Sequence, residues 1–173
     1  MKKSWIPNIF TFMNLGCGVL SILSTFEHKY INACIFIIIA ALVDRYDGRI
    51  ARHLDVSSEI GKQLDSLSDL VSFGVSPAIL TYVCFNLSSI GPYGILGYVL
   101  VLLFPLCGAF RLARYNVTDF NGVFTGVPIT IAGSVMTILI LIHTQAHMSP
   151  MIPILFMLLF SYLMVSKVSL KKR

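Results

Sequence analysis

Charged side chains are scarce. Asp, Glu, Lys and Arg make up 12% of the 173 residues, about half of what a water-soluble domain carries. Mean hydropathy is +0.82. No stretch is polar for long enough to form a separate soluble domain, so one membrane-embedded domain over residues 1–173 is the expected organisation. Cysteine is sparse too: Cys17, Cys34, Cys84 and Cys107 lie far apart, each in an apolar segment. That spacing excludes a zinc motif and a disulfide framework and leaves buried free thiols. Internal repeats and low-complexity tracts are absent. Met1, Lys2 and Lys3 precede an apolar run as in a signal peptide, but the run holds Pro7, Asn8 and Asn14 and lacks a small-x-small cleavage site. It reads as a retained first helix.

What the chain has instead is apolar length. Six segments, approximately 7–26, 30–52, 62–87, 92–114, 125–146 and 149–167, each approach the ~20 residues a helix needs to cross a bilayer. Polar or turn-forming residues separate them, among them Glu27 to Lys29, His53 to Glu59, Ser88 to Pro92, Asn116 to Gly122 and His147 to Pro150. The fold class expected is therefore all-α: an integral membrane protein of six transmembrane helices.

Charge placement tests this division. With six crossings, both termini and the loops after the second and fourth segments share one side. Lys2, Lys3, Arg45, Arg49, Arg52, Lys62, Arg111, Arg114, Lys167, Lys171, Lys172 and Arg173 all fall there, and only Lys29 falls opposite. Positive residues accumulate on the cytoplasmic side. The expected location is the cell membrane, multi-pass, with termini facing the cytoplasm. The net charge of +5 then requires no nucleic-acid partner, since anionic lipid headgroups meet such a rim.

Against this apolar background, four of the eight acidic residues fall in one pattern: Asp44-x-x-Asp47-Gly48-x-x-Ala51-Arg52, eight residues, then Gly61-x-x-x-Asp65-x-x-x-Asp69. With residue frequencies of roughly one in twenty, eight fixed identities recur by chance about once in 10^10 starting positions. Carboxylates near a bilayer are costly and mark function. At 100° per residue Asp44, Asp47, Gly48, Ala51 and Arg52 share one face of a helix, and Asp65 and Asp69 share a face of the next. Ser68, Ser72 and Ser76 extend that second face. Two helices joined by a short loop are neighbours, so the two faces can meet in one cavity at the cytoplasmic boundary. Oxygen-only ligands suit Mg²⁺ or Mn²⁺, and two divalent ions would cancel four aspartates. Paired metals serve displacement at phosphorus. Gly48 and Ala51 leave room for a flat group, and Arg52 is placed to hold a phosphate oxygen. The residues point to metal-assisted chemistry on a lipid-borne phosphate; a proton or ion carrier is the alternative from another class.

The string from Asp44 to Asp69 resembles the signature of the CDP-alcohol phosphatidyltransferases, six-helix membrane enzymes that use a cytidine-diphosphate lipid or alcohol and release CMP. Further segments, Pro7-Asn8-x-x-Thr11-x-x-Asn14, Asp65 to Pro77, Cys107 to Asn116 and Gly126-Val127-Pro128, are similar to the branch that makes phosphatidylserine. The resemblance implies CDP-diacylglycerol and L-serine as substrates, Asp44, Asp47, Asp65 and Asp69 as metal ligands, and Asp69 also as the base that takes the acceptor's proton. It implies a CDP pocket of Gly48, Ala51, Arg52 and Gly61, direct displacement without a covalent intermediate, and a homodimer. Glycerol-3-phosphate or inositol phosphate as acceptor is the alternative within the family. Arg111 and Arg114 are readable as ligands of a serine carboxylate or lipid phosphate, or as positive-inside anchors. Ser68 and Ser72 are readable as lining a substrate groove or bonding backbone carbonyls. Asn8 and Thr11 either approach the nucleotide or cap the helix after Pro7.

Overall fold

The computed structural model describes residues 5–54, 59–117, 123–146, 148–166 and 169–171, with only the backbone given for 5–7, 47–54, 123–125 and 169–171. Its helices are α1 (Trp5–Phe26), α2 (Tyr30–Leu54), α3 (Glu59–Asp69), α4 (Ser76–Cys84), α5 (Ile95–Val117), α6 (Ile129–Ala146) and α7 (Met151–Val165). A π-helical turn, Leu70–Val75, joins α3 to α4 into one rod, so the helices form six rods. Four of them are long and apolar enough to cross a membrane: 8–26, 59–84, 92–117 and 129–146. Of the other two, α2 has 25 residues but ends in a polar stretch, and α7 is apolar but only 15 residues long.

The six-segment division and the helical class agree with these rods. One short antiparallel ribbon departs from pure helix: β1 (Val123–Thr125) pairs with β2 (Ser169–Lys171), Val123 opposite Lys171. The fifth segment also begins later than its apolar run suggests. Gly126 takes φ +79° and Pro128 directly precedes α6, so residues 126–128 turn between β1 and the helix. At the other end of the molecule α1 closes on a Schellman turn. Lys29 N–H bonds Ser24 O (2.9 Å), His28 N–H bonds Thr25 O (3.0 Å), and His28 itself occupies the left-handed region.

Burial follows helical spacing, and on α1 its polarity is inverted relative to a soluble protein. On α1 the buried stripe is Thr11, Asn14, Gly18, Ser21 and Thr25, while Ile9, Phe12, Met13, Leu20 and Leu23 face outward. Lipid gives apolar side chains no reason to turn inward, so small and polar residues make the helix contacts. Ala33, Ile37 and Ala40 form the inward stripe of α2, and Gly97, Leu100, Phe104 and Gly108 that of α5. Each stripe, continued by one turn, ends on a charged residue: Asp44 on α2 and Arg111 on α5. The remaining core is apolar, with Phe73, Phe104, Ile129, Met136, Ile140, Met157 and Met164 packed together.

The π turn sits at the centre of this packing. Pro77 has no N–H to offer the Phe73 carbonyl, and Ser76 N–H bonds Val71 O, five residues back. The widened turn presses on α6 at Gly133, where an added Cβ would come within 2.8 Å of Phe73 Cα.

Candidate active site

Three carboxylates from two helices converge at the end of the bundle where those stripes run out. Asp44 arrives on α2, Asp65 and Asp69 on α3, and one carboxylate oxygen from each lies within 4.8 Å of the others. Asp65 and Asp69 share a face because they are four residues apart, and Asp69 is the last residue before the π turn. The backbone of α2 continues through Asp47, Gly48, Ala51 and Arg52, whose side chains lie outside the described residues. Gly61 stands half-buried in the first turn of α3. The predicted acidic cluster is thus assembled from both helices for the three aspartates whose side chains are described. Three carboxylates this close repel one another, and an oxygen-only set is the donor chemistry a hard divalent cation takes. The residues fit such an ion.

The second acidic helix is held in place by α1. Ser68 Oγ donates to Thr11 O (2.9 Å) and Ser72 Oγ donates to Asn14 O (2.9 Å). Both serines are buried, and their hydroxyls bond the carbonyls of a neighbouring helix. Gly18 permits this approach, since a Cβ there would meet Ser72 Oγ at 2.6 Å. Thr11 is buried in the same seam, and Asn8 is half-buried one turn earlier.

A polar clasp holds the start of α3 against the end of α5. Asn116 Nδ2 donates to Gln63 Oε1 (3.1 Å) and Ser66 Oγ (2.9 Å), and Lys62 Nζ donates to Asn116 O (3.3 Å).

The two arginines of α5 separate in role. Arg114 donates to the carbonyls of Val165 (3.0 Å), Met164 (3.3 Å) and Ser166 (3.4 Å), capping the C-terminus of α7. Arg111 is 8% exposed, and its Nε has no hydrogen-bond partner among the described residues. An arginine so buried calls for an anion.

Asn14 was not singled out as a site residue in the sequence, yet it touches the cluster: its Nδ2 donates to Asp69 Oδ1 at 3.2 Å. The signals available for it are its place in the Pro7-Asn8-x-x-Thr11-x-x-Asn14 segment and in the Thr11, Asn14, Gly18 stripe. The four cysteines are all free. His28 and His143 lie away from the carboxylates, His28 beside Tyr30 and His143 against Phe85.

The CDP-alcohol phosphatidyltransferase family model matches residues 4–168. Among curated proteins, a CDP-diacylglycerol–serine O-phosphatidyltransferase of Bacillus subtilis is 36% identical over 168 residues, covering 95% of this chain and 89% of its own length. A protein of the same name from Helicobacter pylori (strain J99) is 32% identical over 82% of this chain, which spans only 59% of that relative. An archaetidylserine synthase of Methanothermobacter thermautotrophicus is 39% identical over 73% of the chain, which spans 54% of it. With Asp44, Asp65 and Asp69 of the signature gathered at one end of the bundle and a family match over nearly the whole length, the chain belongs to the CDP-alcohol phosphatidyltransferases.

Proposed function

We propose that this protein is a CDP-diacylglycerol–serine O-phosphatidyltransferase, moving a phosphatidyl group from CDP-diacylglycerol to the L-serine hydroxyl to give phosphatidylserine and CMP. The observation that carries the reading is the acidic cluster Asp44, Asp65, Asp69 in a chain 36% identical to a relative of that name over nearly the full length of both. Asp44, Asp47, Asp65 and Asp69 would hold Mg²⁺ or Mn²⁺, two ions by charge balance. Bound there, the metal neutralises phosphate charge and lowers the pKa of the attacking hydroxyl.

The chain's own residues do the rest. Asp69 accepts the hydroxyl proton, the serine Oγ–phosphorus bond forms, the bond from that phosphorus to the bridging oxygen breaks, and CMP departs with the oxygen. Gly48, Ala51, Arg52 and Gly61 form the CDP pocket, with Asn8 and Thr11 at its α1 wall. Arg111 pairs with the serine carboxylate. A phosphorylated acceptor such as glycerol-3-phosphate or inositol phosphate would call for a more basic pocket, and Arg114 is already engaged with the end of α7. No observation favours an ion or proton carrier. The site faces the cytoplasm, on the positive-inside pattern, in the cell membrane; assembly as a homodimer rests on the family resemblance.

The test is CMP release by the purified protein with Mg²⁺ or Mn²⁺, offering L-serine, glycerol-3-phosphate and inositol phosphate separately. Release with serine alone is expected. Release with a phosphorylated acceptor would keep the chemistry and overturn the product, and release with none would sink the reading.

A further inference from the structure

Two buried polar atoms have no hydrogen-bond partner among the described residues and are of opposite kind: the Asn14 Oδ1 acceptor, on the amide that touches Asp69, and the Arg111 Nε donor. Asn14 is 1% exposed, and its backbone carbonyl is fixed by the Ser72 hydroxyl. Only the amide's N–H can donate to a carboxylate, so Nδ2 faces Asp69 and Oδ1 is left bare beside it. A buried amide oxygen is costly to leave unsatisfied. What it lacks is an N–H or O–H donor.

Resting on the reading of the acceptor as serine, we propose that Asn14 determines acceptor specificity by receiving a hydrogen bond from the acceptor's ammonium group through Oδ1. Serine carries its ammonium and hydroxyl on adjacent carbons. The ammonium on Asn14 Oδ1 therefore brings the hydroxyl to Asp69, the neighbour that the same amide holds through Nδ2. The carboxylate remains for Arg111. Asn14 thus ties recognition of an amino-acid acceptor to the orientation of the carboxylate that takes its proton. An acceptor lacking the amine leaves Oδ1 bare.

The experiment compares L-serine with 3-hydroxypropionate, which is serine without its amino group. It uses the full-length enzyme with Mn²⁺ and CDP-diacylglycerol. The KM for serine and the inhibition constant of 3-hydroxypropionate as its competitor are measured for the wild type and for Asn14→Leu. A lost hydrogen bond to a charged group is worth about 10- to 100-fold in affinity. The wild type should prefer serine by about that factor, and Asn14→Leu should reduce the preference about 10-fold or more. Misorientation of Asp69 lowers turnover with every acceptor and cancels from this ratio. Binding of CDP-diacylglycerol reports folding, and if Asn14→Leu fails it, Asn14→Gln, which displaces the oxygen by one methylene, takes its place. A preference unchanged by either folded variant, or absent in the wild type, would overturn the assignment. A wild type that releases no CMP with serine would instead remove the serine reading beneath it.

Discussion

At the residue scale, the site depends on which side chains keep a free hand. Asp69 meets Asp44, Asp65 and Asn14 at once. Asp69→Asn keeps its size and removes the base; turnover should fall by about 10²-fold or more, while binding of CDP-diacylglycerol persists. Near-normal CMP release from that variant would exclude the role. Arg111 and Arg114, three apart and alike in sequence, should respond differently to alanine. Arg114→Ala strips three carbonyls of their donor and should cost about 1–3 kcal/mol of stability, seen in a thermal melt with little change in the KM for serine. Arg111→Ala should raise that KM and leave the melt nearly unmoved. The reverse pattern would contradict the division of labour.

At the scale of elements, helical spacing made much of the arrangement legible. Asp44 and Asp47 three apart, and Asp65 and Asp69 four apart, announce shared faces, and the described aspartates do converge. The serine stripe was legible as a stripe but not in its partners. Ser68 and Ser72 bond α1 carbonyls across a seam that Gly18 opens, and nothing local in either helix names the other. The π turn was equally hidden, because it follows from Pro77 together with space on a helix some sixty residues later. That space is Gly133. Gly133→Val should push the turn off α6, cost about 1–3 kcal/mol by overpacking, and reduce activity by tilting the carboxylates carried on α3. Differential scanning fluorimetry and CMP release on the same sample check both effects; a variant normal in each would show that the seam tolerates bulk.

At the scale of the whole molecule, the topology we propose has an even number of crossings and, on the positive-inside pattern, both termini on the side of the active site. The ribbon between Val123–Thr125 and Ser169–Lys171 sets the α5–α6 connection beside the C-terminal segment, as that parity requires. Cysteine introduced at Lys3 and at Lys172, in a background without native cysteines, should be labelled by an impermeant maleimide only after cells are opened. Labelling of one terminus in intact cells would mean an odd number of crossings. Charge distribution is what argues for this topology in the sequence, whereas the fit of rod against rod depends on contacts between distant segments.

The central claim is that the aspartate cluster joins serine to a lipid phosphate. The most direct measurement is incorporation of labelled L-serine into lipid together with CMP release, with and without a chelator of divalent metals. One serine should enter phosphatidylserine for each CMP released, and both should stop with chelation and return on adding Mg²⁺ or Mn²⁺. CMP release without serine in the lipid, or transfer that survives complete metal removal, would contradict it.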